Sequence, residues 1–440
     1  MTQLRTTLAS TLHVIGGESL LRLASVGAAV FIGRLYGAST LGLCATILAV
    51  ATIAERLADN GLEMTGIAEI SQQPKLLDEF ATALYIDKLA LSSIAAAILF
   101  SIALIIGLSP SQWSIALLFC LRTFLYSFSR LHAGFLKAIG RTNQIARIQS
   151  LHFVLLLLGL LAAYAIRLPL LSLLLMLVAA QSVEFLLSLL ALHRIGARVT
   201  SVGSSFCWNL FFRSSMVGAV YSLSTVMLRG DVLVLSLLAS TAVVGAFAAA
   251  NSALVMVYVV AWLFSGVLLS DLGRLSSDQK SFDAHFRRCL VALLLLSLPS
   301  SALAALLAPE VIRIILGNSF ASAVLPAAIM TLAVPFILVN AAFLARAIAR
   351  GAVQTSFAIY SGAALLSLVL NFLLGRIHGA AGVATSIVLR EAAMTFAFVR
   401  FRESATAACR ESGTARHSEG SPRSEESLFP SFTENVKGNS

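Results

Sequence analysis

Long apolar runs, separated by short polar connections, follow one another from residue 11 to residue 401. Each run is close to the roughly 20 residues that an α-helix needs to cross a bilayer. Within a run the apolar residues are continuous rather than alternating with polar ones, so a β-barrel is excluded. The pattern predicts an all-α membrane protein with about twelve transmembrane helices. The predicted spans are 11–33, 39–59, 80–107, 112–137, 147–166, 169–192, 213–238, 243–270, 285–308, 320–345, 354–375 and 379–401.

Composition supports a membrane protein. Of the 440 residues 58% are hydrophobic and 12% are charged, whereas a soluble protein is about half apolar and a quarter charged. Mean hydropathy is +0.90. These values exclude a soluble enzyme, a secreted domain and a disordered chain, and the predicted spans leave no room for a sizeable extramembrane domain.

The positive charges predict the orientation. With a cytoplasmic N-terminus, the inner loops hold 13 Lys and Arg residues and the outer connections hold 4. Cytoplasmic loops carry such an excess, so we expect both termini in the cytoplasm. The net charge of +10 is explained by these helix ends, and no clustered patch indicates a nucleic-acid partner.

An internal repeat divides the chain. The pentapeptide Lys137–Arg141 follows the fourth span, and Arg346–Arg350, with the same pattern, follows the tenth, 209 positions later. Two further pairs are 207 positions apart: Arg22 with Arg229, and Glu184 with Glu391. We interpret this as a parallel repeat of two six-helix lobes, the plan of transporters that hold substrate between two rocking halves.

The predicted organisation has four parts. They are a first half at 1–200, a cytoplasmic linker at 201–212, a second half at 213–402 and a disordered cytoplasmic tail at 403–440. The tail is rich in Ser and Glu and is too polar to fold alone.

Charged residues lie deep within the apolar spans, where each costs on the order of 3 kcal/mol unless it faces a cavity or a partner. Four of them are arginines, and their planar donors suit phosphate. We expect these arginines to line a cavity for an anionic headgroup: Arg22, Arg122, Arg229 and Arg390. Buried ion pairs that hold helices together are the alternative role.

The acids within spans are candidates for ion coupling or for such ion pairs. They are Glu18, Asp59, Asp87, Glu184, Asp231 and Glu391. Arg56 and Lys88 lie near span ends, where pairing with neighbours is expected. Two polar stripes follow helical spacing: Arg122, Tyr126, Ser129 and Arg130 on span four, and Gln181, Glu184 and Ser188 on span six.

The sequence has no enzyme signature. It lacks a glycine-rich phosphate loop ending in Lys-Ser/Thr, and its histidines lack the spacing of metal ligands. We therefore expect a non-enzymatic protein without cofactor or metal.

Several short segments resemble the Wzx-type polysaccharide and O-antigen flippases, which share a superfamily (MOP) with the multidrug MATE exporters. Gly33–Gly37 and Leu41-Gly42 are similar to the family's opening, and Ala58–Leu62 to its Ala-Asp-x-Gly ending. In the second half Arg229–Asp231 and Val244–Phe247 are similar too. PEVIRIILGNSF, residues 309–320, resembles the segment before span ten, which we expect to be a short amphipathic connection. The resemblance covers most of residues 10–402.

The resemblance implies a MATE-like fold that flips a polyprenyl-pyrophosphate-linked oligosaccharide to the outer leaflet for surface polysaccharide and lipopolysaccharide synthesis. The location would be the bacterial inner (plasma) membrane, and the partners would be this lipid-linked oligosaccharide, membrane lipids and the polysaccharide polymerase machinery. The alternatives are an ion-coupled MATE-type drug exporter, a membrane glycosyl polymerase or ligase, and a structural scaffold.

Overall fold

The computed structural model describes the backbone of residues 2–72, 77–106, 110–195, 200–275, 278–350 and 352–415. Within these ranges, side chains are described outside 2–25, 68, 71–72, 98–99, 101–106, 110–111, 213, 216–217, 220, 270, 353 and 402–415. The described ranges are helical and contain no strand, which confirms the predicted fold class.

Helices α1 to α6 form the first part of the chain: α1 (Thr2–Asp59), α2 (Leu62–Gln72), α3 (Leu77–Ile106), α4 (Pro110–Ala138), α5 (Thr142–Ile166) and α6 (Leu170–Ile195). The second part contains α7 (Ser204–Leu238), α8 (Thr241–Arg274), α9 (Gln279–Ile315), a 3₁₀ helix (Asn318–Ala323), α10 (Val324–Thr331), α11 (Val334–Ala349) and α12 (Val353–Ala415). In the described ranges nine helices are long and apolar enough to cross a membrane, or ten if residues 318–349, bent by 43°, form one span.

Two glycines interrupt long helices. Gly37 in α1 has φ 85° and Gly379 in α12 has φ 58°, a backbone region that glycine enters without steric cost. Gly37 lies between the first two predicted spans, and Gly379 is the first residue of the last predicted span, 379–401. The apolar part of α12, Gln354–Phe401, has 48 residues, about 70 Å at 1.5 Å per residue, more than twice the hydrocarbon thickness. The count of twelve crossings stays a prediction.

The segment before the Gly37 break connects the two parts of the chain. The Arg34 guanidinium donates to the Ile314 carbonyl at 2.6 Å, and the Tyr36 hydroxyl donates to the Leu168 carbonyl at 2.7 Å. A Cβ on Gly33 would lie 2.9 Å from the Phe320 ring. The residues that carry the family resemblance thus fix the position of α1.

Helices α1 and α8 cross at a pair of glycines. A Cβ on Gly42 would lie 1.8 Å from the Thr241 carbonyl oxygen, and a Cβ on Gly245 would lie 1.9 Å from the Ala38 carbonyl oxygen. Each glycine therefore faces the residue four positions before the other glycine. The two helices therefore approach each other through their backbones, and the internal repeat stays a prediction.

A second close contact lies at the end of α1. A Cβ on Gly61 would be 2.5 Å from the Gly218 nitrogen on α7, and the Asn60 amide donates to the Ser215 hydroxyl at 2.9 Å. The segment of α1 after Gly37 therefore touches α8 near its start and α7 near its end.

Three boundaries differ from the expected ones. Residues 309–315 continue α9 rather than forming a separate connection, since Pro309 is tolerated within the helix. Residues 204–212, expected in a linker, are the first turns of α7. Residues 403–415, expected in a disordered tail, continue α12, and 416–440 lie outside the described residues.

The chain divides into a compact unit of residues 1–395 and a second unit of residues 396–440. The first unit has an apolar core to which α1, α5, α6, α8 and α11 contribute, including the fully buried Leu173 and Phe247. The division at 201–212 into two lobes stays a prediction.

Candidate functional site

A buried charge network fills the second half around Arg390, whose side chain is 1% exposed. One guanidinium nitrogen (Nη1) lies 3.2 Å from Asp231, Nε lies 3.2 Å from Glu391, and the other (Nη2) donates to the Tyr258 hydroxyl at 2.9 Å. Nη1 also donates to the Ser367 hydroxyl at 3.0 Å. Every nitrogen of this guanidinium is therefore engaged. Arg390 therefore pairs with Asp231 on α7 and with its neighbour Glu391, the arrangement that the ion-pair alternative predicts, while the role of these residues stays a prediction.

Amide side chains complete this network. Asn371 donates to Asp231 at 2.7 Å, and Asn340 donates to the Glu391 carboxylate at 2.9 Å. The Tyr258 hydroxyl donates to Glu391 at 2.8 Å. Because each buried carboxylate has several donors, the network is internally satisfied and stabilises the packing of α7, α8, α11 and α12.

A second group of ion pairs joins the C-terminal end of α1 to α3. Lys88, with a fully buried side chain, lies 2.5 Å from Asp59 and 3.8 Å from Glu55. Arg56 lies 3.7 Å from Asp59, as neighbour pairing predicts. Asp87 is partly buried, and its Oδ2 has no hydrogen-bond partner among the described residues. Lys88 therefore pairs across helices rather than with its sequence neighbour.

Arg130 and Arg122 share one face of α4 but have different surroundings. Arg130 pairs with Glu63 on α2 at 2.9 Å. Arg122 is partly buried, its Nε is buried without a partner, and it has no hydrogen bond or ion pair within the described part of the chain. Tyr126 and Glu184 are near enough to interact with it electrostatically. Among the four arginines predicted to bind substrate, Arg122 is placed with its donors available.

The structure says less about the contacts of the two remaining arginines that were predicted to bind substrate. Arg229 on α7 is partly buried and takes part in an interaction with another group. Arg22 and the acid one turn before it, Glu18, belong to α1, but their side chains lie outside the described residues.

Glu184 is the centre of a polar cluster in the first half. Its carboxylate oxygen Oε2 lies 2.5 Å from His152 Nδ1 on α5 and accepts a hydrogen bond from Gln181 at 2.7 Å. Gln181 also donates to the Ser129 hydroxyl on α4 at 3.5 Å. The stripes predicted on spans four and six therefore meet, which the sequence did not specify.

A small cavity adjoins Glu184. Its polar lining consists of Ser129, Gln149, Glu184 and Ser188, and the remainder is apolar side chains from α4 and α5. Ser188 also lies 2.8 Å from His132 Nδ1, and the other nitrogen of this buried ring contacts the Tyr85 hydroxyl. Polar groups thus continue from the cavity through α4 to α3.

Sequence reasoning missed several members of these clusters. His152 lacks metal-ligand spacing like the other histidines, but its position within an apolar span is a signal that could have singled it out. Tyr258, Asn340 and Asn371 are single polar residues in apolar runs, and nothing in the sequence distinguishes them from isolated exposed ones. No group of three or more His, Cys, Asp or Glu residues suited to a metal occurs among the residues described.

The comparisons with known proteins place this architecture. A family model described as "Polysaccharide biosynthesis protein" matches residues 31–325, which is more than half of the chain. The chain belongs to this family. No curated protein sequence matches it.

Solved structures of transporters share the fold of this family member. The lipid II flippase MurJ in an inward closed conformation has 15% identity and a TM-score of 0.72, over 90% of this chain and 87% of that one. An inward-facing multidrug MATE transporter of the MOP superfamily also has 15% identity and a TM-score of 0.72, over 88% and 95%. The Vibrio cholerae MATE transporter VcmN has 14% identity and a TM-score of 0.61, over 90% and 96%. At these identities the likeness extends to the fold alone.

Proposed function

We propose that this protein flips a polyprenyl-pyrophosphate-linked oligosaccharide from the inner to the outer leaflet of a bacterial plasma membrane. Membership of the polysaccharide biosynthesis family supports the process, and the MurJ-like fold supports the type of cargo. Both termini are cytoplasmic in this proposal, and the polysaccharide polymerase machinery receives the flipped product. The chain itself acts as a transporter rather than as an enzyme.

The observation that supports the proposal is that Arg122 lacks a hydrogen-bonding or ion-pairing partner among the described residues. It is partly buried within an apolar span, and no carboxylate pairs with it in the described residues. A charge in that position is costly unless it serves a cavity or a ligand. A guanidinium forms paired, charge-assisted hydrogen bonds with phosphate oxygens, so a pyrophosphate headgroup would supply the partner that Arg122 lacks.

A drug exporter fits the charges less well. A cavity for cationic drugs needs accessible carboxylates, whereas Asp59, Asp231 and Glu391 are each paired with Lys or Arg. A polymerase or ligase would need a long loop with catalytic residues. The connection between α5 and α6 has three residues, 167–169, and that between α7 and α8 has two, 239–240.

Deletion of the gene followed by complementation tests the proposal. Without the protein, lipid-linked glycan should accumulate on the inner leaflet, and surface glycan should fall. Arg122→Ala and Arg229→Ala should restore export poorly while remaining inserted in the membrane. Arg376→Ala is the matched control because Arg376 is exposed, and it should restore export fully.

One outcome would overturn the proposed function, and a second would remove the two arginines from it. Normal surface glycan in the deletion strain together with reduced drug resistance would identify a drug exporter. Wild-type export by both Arg122→Ala and Arg229→Ala would exclude these arginines from the substrate site.

A further inference from the structure

The residues just before the Gly37 break connect α1 to both halves of the chain. The Arg34 guanidinium donates to the Ile314 carbonyl, 280 positions away at the end of α9, at 2.6 Å. The Tyr36 hydroxyl donates at 2.7 Å to the Leu168 carbonyl, which lies in the connection between α5 and α6. Arg34 therefore holds α1 to the second half of the chain, and Tyr36 holds it to the first.

Arg34 completes the hydrogen bonding at the end of α9. The last four carbonyls of a helix have no partner within that helix, and the backbone amides that follow α9 donate to the Ile312 and Arg313 carbonyls. The Ile314 carbonyl accepts from the Arg34 guanidinium instead. A cation at this end of a helix also interacts favourably with the helix dipole. Because the hydrogen bond is exposed, water can replace it when the two helices separate.

Apolar packing lies beside this hydrogen bond. Phe320 in the 3₁₀ helix is fully buried, and a Cβ on Gly33 would lie 2.9 Å from its ring. Leu41, on the other side of the Gly37 break, also packs here, 3.3 Å from the same Cβ position. The glycine at position 33 therefore lets the aromatic ring close against α1. Moving the end of α9 and the 3₁₀ helix away from α1 would break the polar and the apolar contact together.

We propose that the Arg34–Ile314 hydrogen bond and the Gly33–Phe320 contact form a latch, which keeps the outer side of the protein closed and opens when cargo leaves. The inference uses the proposed topology, which places these residues on the outer side, and goes beyond the proposed function because it applies to any cargo released there. The latch differs from the crossing of α1 and α8, where backbone atoms are in contact. An exposed hydrogen bond and a ring packed on a glycine can separate and form again without a change in either helix.

Cys44 is a native reporter for opening of the latch. It lies three residues after Leu41, is 3% exposed and belongs to the same buried apolar cluster as Phe320. The experiment uses the full-length protein in spheroplasts, with its other four cysteines replaced by serine. A membrane-impermeant maleimide then reacts from the outer side, and its rate of reaction with the Cys44 thiol measures how often the cluster opens to that side.

Breaking either contact should increase this rate. Arg34→Gln shortens the side chain and removes its charge, and it should raise the labelling rate by about tenfold, the usual effect of one hydrogen bond to a charged group on an equilibrium. Gly33→Leu places a side chain where the aromatic ring packs and should raise the rate as well. The matched controls are Arg376→Gln, at another exposed arginine, and Gly27→Leu, since a Cβ on Gly27 would meet nothing within 4 Å. Both controls should label at the wild-type rate.

Two results would overturn the latch. One is a wild-type labelling rate in both Arg34→Gln and Gly33→Leu, and the other is an equal increase in Arg34→Gln and Arg376→Gln. Labelling does not depend on cargo, so it tests the latch even if deletion of the gene leaves surface glycan normal and the proposed function is wrong.

A reversible cross-link tests the latch without weakening it. A reducible bifunctional thiol reagent that joins Arg34→Cys to Ile314→Cys should stop export of surface glycan, and a reductant should restore it. Each single cysteine variant, treated in the same way, is the control and should continue to export. Export at the uncross-linked rate by the fully cross-linked protein would show that the outer side opens without separating these residues, and would overturn the latch.

Discussion

Arg390 and Asp231 form an ion pair of 3.2 Å in which both side chains are at most 3% exposed. A pair of this kind contributes little over a well-packed apolar substitute, but removing one partner leaves a buried charge without compensation. We therefore expect that disrupting this network lowers the free energy of unfolding more than it changes the transport activity of the protein that still folds.

Arg390→Met should destabilise the protein by about 3–5 kcal/mol, the usual cost of breaking a buried pair. The melting temperature in detergent and the folded yield measure this. Adding Asp231→Asn should recover part of the loss, because one carboxylate rather than two then lacks its cation. Arg376→Ala is the exposed control, and equal melting temperatures for it and Arg390→Met would contradict the structural role.

Gly42→Ala and Gly245→Ala should each separate α1 from α8. The added methyl would lie within 2 Å of a backbone carbonyl oxygen, which cannot rotate away as a side chain would. We expect a lower melting temperature and reduced export. Gly266→Ala on α8 is the control, since its Cβ would meet nothing within 4 Å, and it should be neutral or slightly stabilising because alanine favours helix.

Lys88→Met should leave Asp59 and Glu55 without their shared buried cation. Thermal unfolding should show a loss comparable to that of Arg390→Met. In Lys88→Met, the further change Asp59→Asn should raise the melting temperature, because it removes one uncompensated charge. A further decrease instead would mean that Asp59 is stabilised by Arg56 alone.

Asp278 provides a pH-dependent prediction outside the membrane spans. Hydrogen bonds from the Ser281 hydroxyl, and from the backbone amides of Ser281 and Lys280, lower the pKa of its carboxyl. This N-cap of α9 stabilises the folded state above the unfolded pKa of about 3.9, and the contribution is lost as pH falls through the lowered folded pKa. Asp278→Ala should therefore reduce the melting temperature at pH 7, and the difference from wild type should shrink below about pH 4. A constant difference would exclude the ionised cap.

The helical elements follow from the sequence because bilayer crossing imposes long apolar runs. The positions of the two breaks follow as well, since Gly37 lies between two apolar runs and Gly379 lies at the start of one. The partners of the buried charged side chains could not be predicted to the same degree. Lys88 pairs with Asp59, 29 positions away, rather than with the adjacent Asp87. That choice depends on how α1 packs on α3.

The candidate site shows the same limit. Helical spacing placed Arg122 and Glu184 on polar stripes, but no one-dimensional pattern shows that Arg390 has its donors occupied while Arg122 does not. The difference arises because α7 and α8 bring Asp231 and Tyr258 to Arg390. Only the packing of these helices shows which arginine has its donors occupied.

The Gly42–Gly245 crossing constrains how α1 and α8 can shift against each other. Backbone atoms of both helices are in contact there, so sliding one helix along the other would drive a carbonyl oxygen into the opposing chain. Rotation about the crossing point avoids that collision. The crossing therefore acts as a pivot. It fixes the point about which α1 and α8 can rotate and leaves the angle between the two helix axes free to change.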